Sequence, residues 1–146
     1  MRKNIGVGLF VTFLVLTAPF TVAIYTHFHD YILPMHWVHR NIESCIVGGN
    51  EWRSVTEILQ SGKGSCKDLT LVLLDRMGDK DHAEMIITKT PGGSATHAAV
   101  LVRGSLVLDP TICIAVKKHV YMETREFVRT VPYSRINTFV RKKVLR

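Results

Sequence analysis

The chain has 146 residues, 47% of them hydrophobic, and a formal net charge of +7, which gives room for one ordinary domain. All of the excess charge lies near the C-terminus, where residues 117–146 carry nine Lys or Arg against Glu123 and Glu126, so the first 116 residues balance to zero. Neither aromatic interleaving nor zinc-finger spacing accompanies the basic stretch. That sets nucleic acid aside and leaves a solvated basic face or contact with an anionic surface.

Between Asn4 and Thr26 no residue is formally charged, and the run IGVGLFVTFLVLTAPFTVAIY is long enough to cross a hydrocarbon core of about 30 Å as a helix. Arg2 and Lys3 precede it. By the positive-inside tendency, residues 1–26 are expected to be a signal anchor or a cleaved signal peptide, with membrane contact through residues 5–25. The expected location is the cell membrane, single-pass, with the domain outside the cytoplasm (periplasmic or extracellular), or secretion after cleavage at Thr21-Val22-Ala23. Pro19 would kink such a helix without excluding it.

Residues 27–49 read as a membrane-proximal connector that begins to fold between Trp37 and Ile46. Its histidines, His27, His29, His36 and His39, follow a spacing that matches no defensible metal pattern, so they are expected to be interfacial or solvated.

Residues 50–146 read as the folded domain. Ser54-Val55-Thr56-Glu57 is a capping-box pattern opening a short helix that ends near Gln60, and Ser61–Gly64 supplies a flexible turn. Ser65 is then the N-cap of a second helix with Asp68 at N3, and Gly78 follows Met77 as a stop. Leu69, Leu71, Val72, Leu73, Leu74 and Met77 surround most of this helix, which places it in the middle of the domain. Strands are expected over 84–88, 97–102, 106–108 and 112–116. The loop Pro91–Ser94 and a turn around Arg103-Gly104-Ser105 make an antiparallel meander of the first three. One buried helix followed by several strands is an α+β plan. From Tyr121 onward the pattern is undecided between helix and strand.

Cys66 falls in the first turn of the buried helix, where unpaired N–H groups and the macrodipole favour an anion and a thiol loses its proton most readily. A thiolate acting on an amide also needs an imidazole to protonate the leaving group, and that imidazole needs an orienting partner. Folding THAAVLVRGSLVLDPT about Arg103 and Gly104 puts His97 opposite Asp109 or one residue off, within reach of a cross-strand pair. Each residue has a plainer reading: Asp109-Pro110 as a turn, His97 as a satisfied core histidine, Cys66 as a small core residue. Their order and placement together favour chemistry. A Walker A reading of SGKGS fails, because Gly64 follows Lys63 and position 57 is Glu.

The stretch from EWRSVTEILQSGKGSCKDLT through HAAVLVRGSLVLDPT resembles the bacterial transglutaminase-like cysteine peptidases of the papain-like and transglutaminase superfamily. Trp52, Glu57, Gly64-Ser65-Cys66-Lys67-Asp68, His97-Ala98 and Leu108-Asp109 stand where that family carries Trp, a Glu-containing helix, Gly-x-Cys-x-Asp, His-Ala and Leu-Asp. The resemblance implies a papain-like/transglutaminase-like core, in which the Cys-bearing helix packs on an antiparallel sheet. It implies Cys66 as nucleophile, His97 as general base and acid, Asp109 as the residue orienting the imidazole, and a peptide or protein amide as substrate. An oxyanion would be held by the Cys66 N–H and a second donor, Gln60 or the Trp52 indole.

Relatives usually carry an acid next to the cysteine, where this chain has Ser65 and Lys67, so no metal is carried over and no cofactor is expected. Water as acceptor gives a peptidase or amidase, an amine gives a transglutaminase or acyltransferase, and a non-catalytic binding module of the same fold is the third reading. With Cys66 as the free thiol, the count leaves Cys45 and Cys113 to form a disulfide in an exported domain.

Overall fold

The computed structural model describes residues 22–23, 25–45 and 52–136. The expected membrane run lies almost wholly outside the described residues, as does the end of the basic tail from residue 137 on. Among the described residues no helix is long and apolar enough to cross a membrane.

The chain is helical from residue 25 to 41, with one wide π-helical turn, Phe28–Ile32, ahead of α1, Leu33–Asn41. Pro34 stands at the start of α1. It lacks an N–H and its ring crowds the carbonyl four residues back, and the wide turn, closed by Leu33 N–H on Phe28 O, makes room for it. Tyr31, Met35, Val38 and Ile42 are all buried, at a spacing that lines one helix face. The segment read as a connector therefore builds one layer of the core, and the histidines interleaved with that apolar stripe obscured it.

α2, Val55–Ser61, has the expected capping box between Ser54 and Glu57 and ends at Gly62 with φ 64°. The next capping box, between Ser65 and Asp68, opens α3, Cys66–Arg76. Leu69, Val72, Leu73 and Leu74 are fully buried, each contributing about 1.5–3 kcal/mol of transfer free energy. Two-residue strands β1, Glu43–Ser44, and β2, Lys63–Gly64, pair in parallel just before α3. The Arg76 guanidinium lies 3.4 Å from the centre of the Trp37 ring, joining α1 to α3 by cation–π attraction.

The strands are β3, Ala83–Lys89, β4, Thr96–Val102, β5, Leu106–Asp109, β6, Ile114–Lys117, and β7, Glu126–Pro132. They form an antiparallel sheet in the order β6-β5-β4-β3-β7. β6 starts at Ile114 rather than Ile112, because residues 110–113 turn and Cys113 takes φ 56°. The undecided C-terminal segment is both kinds of structure: α4, Lys118–Met122, then β7. α1, α2 and α3 share one core with Met85, Ala98, Val100, Val102 and Leu108. Ile86, Ala99, Leu101 and Val107 cluster with Tyr121 of α4 on the other face.

The β4–β5 register departs from the sequence expectation. Val102 pairs with Leu106 and Val100 with Leu108, so the loop is the three residues Arg103–Ser105, and Asp109 falls opposite Ala99. His97 lies two residues further along β4, on the same face by the strand's alternation.

The helix start tolerates little change. A Cβ on Gly64 would lie 2.8 Å from Asp68 Cβ and 3.1 Å from Leu69 Cδ1. Gly64→Ala is expected to destabilise the fold by about 1–3 kcal/mol through overpacking, read as a lower denaturation midpoint. An unchanged midpoint would refute that contact.

Candidate active site

Cys66 is the first residue of α3, and its position is fixed from several sides. Ser65 N–H donates to Asp68 Oδ2 at 3.0 Å, and Asp68 N–H donates to Ser65 Oγ at 3.4 Å. Arg53 donates to Lys63 O at 2.9 Å, Glu57 O at 3.2 Å and Asp68 Oδ2 at 3.4 Å. Cys45 N–H donates to Gly64 O at 2.9 Å. Asp68, at 2% exposure, is thus a cap and the anchor of an arginine, which accounts for its place in Gly-x-Cys-x-Asp. Arg53 did not stand out in the sequence, because half of its partners are backbone carbonyls that no spacing reveals.

β4 runs past β5: their pairing spans Val100–Val102 and Asp109, the last residue of β5, falls opposite Ala99, leaving Thr96–Ala98 without a β5 neighbour. The Ala98 and Lys67 N–H groups and the His97 imidazole all stand near enough to the Cys66 sulfur to stabilise its anion. The thiol therefore docks against strand backbone that β5 has left unpaired.

His97 Nε2 is 2.7 Å from Asp109 Oδ2, leaving Nδ1 for the sulfur. Asp109 has no solvent exposure, while the His97 side chain keeps 19%. The diagonal separation of the two residues is within reach of an imidazole. Asp109 also accepts from Thr111 N–H at 3.1 Å on Oδ1 and from Tyr121 OH at 2.9 Å on Oδ2. The structure thus brings together Cys66, His97 and Asp109.

Burial opposes charge on each group, and local partners reverse the balance. Burial pushes the Cys66 thiol up, but the His97 imidazole and the Ala98 and Lys67 N–H groups bring it below its ordinary value. Burial pushes His97 down, while Asp109 first and then Cys66 raise it to about 9. Burial pushes the Asp109 carboxyl up, and His97, Tyr121 and the Thr111 N–H hold it below the usual range. Such an arrangement favours a thiolate beside an imidazolium.

The other expected site residues stand at the margin. Trp52 is half-buried, with the Lys67 ammonium 5.0 Å from its ring centre. Gln60 is exposed near the end of α2.

The expected Cys45–Cys113 disulfide does not form: all three cysteines are free. Cys45 follows β1 beside Gly64, whereas Cys113 sits in the turn after β5 with its sulfur 3.3 Å from His36 Nδ1. Counting thiols could not reveal that separate placement. His39 Nδ1 is 3.1 Å from Pro110 O.

No protein-family model matches the chain, and no curated protein matches it. Solved structures do match: LapG of Legionella pneumophila, a transglutaminase-like cysteine protease, in calcium-bound form, in a second structure and after EGTA treatment. The identities are 15%, 16% and 16%, and the TM-scores 0.53, 0.53 and 0.54. Each match covers 69% of this chain, and the chain spans 65%, 65% and 63% of those proteins. Among the described residues no group of three or more His, Cys, Asp or Glu is placed to hold a metal ion. The likeness is one of fold: mixed helices on an antiparallel sheet.

Proposed function

We propose that this chain is a cysteine peptidase or amidase that cleaves a peptide or protein amide through a thioester on Cys66. The observation that carries the reading is the buried Asp109–His97 bond of 2.7 Å, its imidazole raised also by the thiol of Cys66 at a helix N-terminus. The LapG-like fold supports it.

In this reading the Cys66 thiolate attacks the amide carbonyl, and negative charge develops on its oxygen. The Cys66 N–H, the first of α3 and without an intrahelical acceptor, supplies one oxyanion donor. Gln60 or the Trp52 indole would supply the second. The His97 imidazolium gives its proton to the leaving amine as the C–N bond breaks, which leaves a thioester. Water, losing a proton to His97, attacks the thioester; the C–S bond breaks, the acid is released, and the thiolate beside the imidazolium is restored.

We further place the domain outside the cytoplasm, held by residues 5–25, on the charge-free run in the sequence. The full chain should then stay in the membrane pellet after alkaline carbonate washing. Release into the supernatant would refute the anchor.

Incubating the full chain with a peptide and glutamine-amide library is expected to give an acyl adduct on Cys66 by mass spectrometry, absent in Cys66→Ala. Turnover that survives in Cys66→Ala would overturn the assignment.

The pair also predicts how stability follows pH. His97, raised to about 9 from an ordinary 6.5, contributes fully below 6.5, and its contribution fades as pH climbs through about 9. Asp109, lowered from 3.8, contributes fully above 3.8, and that contribution is lost as pH falls through its folded value. The stability gap between the native chain and Asp109→Asn should therefore be widest between about pH 4 and 6.5 and narrow toward pH 9. A gap independent of pH would contradict a charged pair.

A further inference from the structure

The geometry points to Tyr121 as a positioning residue for the reaction, its hydroxyl fixing the Asp109 carboxylate so that the carboxylate holds His97. This rests on the reading of Cys66, His97 and Asp109 given above. Tyr121 belongs to α4, a helix of five residues on the sheet face away from α3. It is only 4% exposed, and its hydroxyl donates to the Asp109 oxygen that also takes His97 Nε2, at 2.9 and 2.7 Å. The Thr111 N–H holds the other oxygen at 3.1 Å.

With one oxygen held by the turn and the other by two donors, the carboxylate is fixed in rotation. Its face toward the imidazole is fixed with it. Without the phenol, Oδ2 would carry the imidazole alone and the carboxylate would pivot about its bond to Thr111. Thr88, buried, is paired with His97 across β3 and β4. The Arg125 guanidinium stands 4.8 Å from the centre of the phenol ring and covers it from the turn after α4.

The charged and titratable groups around Asp109 are thus His97 on β4, backed by Cys66 on α3, with Tyr121 from α4 and Arg125 beyond it. On the α1 side, His39 meets the Pro110 carbonyl and His36 meets Cys113. A tyrosine that only filled the core would lower stability when truncated and leave proton affinities alone. One that positions Asp109 changes the pH at which the carboxylate, and with it the imidazolium and thiolate, survives.

The test is the rate of Cys66 alkylation by iodoacetamide against pH in the full chain, read by peptide mass spectrometry with Cys45 as internal reference. In the native chain Cys66 should react well below the pH at which Cys45 does. In Tyr121→Phe the acid limit of Cys66 reactivity should move up by about one pH unit, the effect of one hydrogen bond to a charged group. The carboxylate, short of a donor, takes up its proton earlier.

Replacing tyrosine biosynthetically by 3-fluorotyrosine, a stronger donor of the same shape, should move the limit the other way. It gives a reading even where Tyr121→Phe does not fold. Tyr31→Phe removes a comparable hydroxyl–carboxylate bond of 2.7 Å to Asp79 and should cost stability while leaving the limit in place. A native chain in which Cys66 reacts no faster than Cys45 would overturn the reading of the site. Enhanced native reactivity with an acid limit that neither Tyr121→Phe nor the fluorinated chain moves would overturn the Tyr121 assignment alone.

Discussion

A carboxylate sealed from solvent stays ionised only if hydrogen bonds replace the water it has lost. Asp109, with no exposure at all, receives them from His97, Tyr121 and the Thr111 N–H. Burying such a charge costs several kcal/mol even after relaxation, and each hydrogen bond to it returns about 1.5–3 kcal/mol. More than one donor is therefore needed to hold the ionised form. Since they come from β4, α4 and the turn after β5, the hairpin register, the placement of α4 and the path of residues 110–113 are tied to that one charge.

The other half of the site depends on backbone. Cys66 must begin α3 where β4 has outrun β5, so that its sulfur can take the Ala98 N–H. Gly64 lets the chain pass close to Asp68 and Leu69, Asp68 closes the capping box, and Arg53 ties the preceding turn to both. The flanking residues of the cysteine motif thus serve placement rather than proton transfer. Placement is also what leaves the first amide of α3 available to a reacting oxygen.

How much of this could be read from the sequence follows from the range of each interaction. The capping boxes at Ser54 and Ser65 are contained within four residues, so the starts of α2 and α3 were legible, as were the apolar runs of β3 and β4. The meeting of His97 with Asp109 was legible as a hairpin, but its register was not, because register depends on a three-residue loop in which Arg103 and Gly104 both take positive φ. α1 was hidden by histidines set among its buried residues. Tyr121 was hidden because a five-residue helix is too short to show a period, and the strand after it is mostly exposed and irregular at Ile87 and Thr88 of its partner. A residue whose role comes from a contact across the sheet leaves no local signature.

In the proposed reaction, the state of the proton at rest decides what Asp109 and Tyr121 would do. If sulfur has already given its proton to His97, attack on a carbonyl needs no base, and neighbours that raise the thiol would only slow it. Ser65 and Lys67 fit that requirement, since a neutral residue and a cation flank the sulfur where an acid would oppose the thiolate. The demanding proton transfer of the proposed reaction would then fall on the second half of acylation, when His97 has to release its proton to a leaving amine. A carboxylate held too strongly toward the imidazolium would resist that release, and one free to turn would fail to aim it. Sharing Oδ2 between His97 and the Tyr121 hydroxyl meets both demands, because the phenol draws off part of the carboxylate's charge while fixing the direction in which the rest is offered.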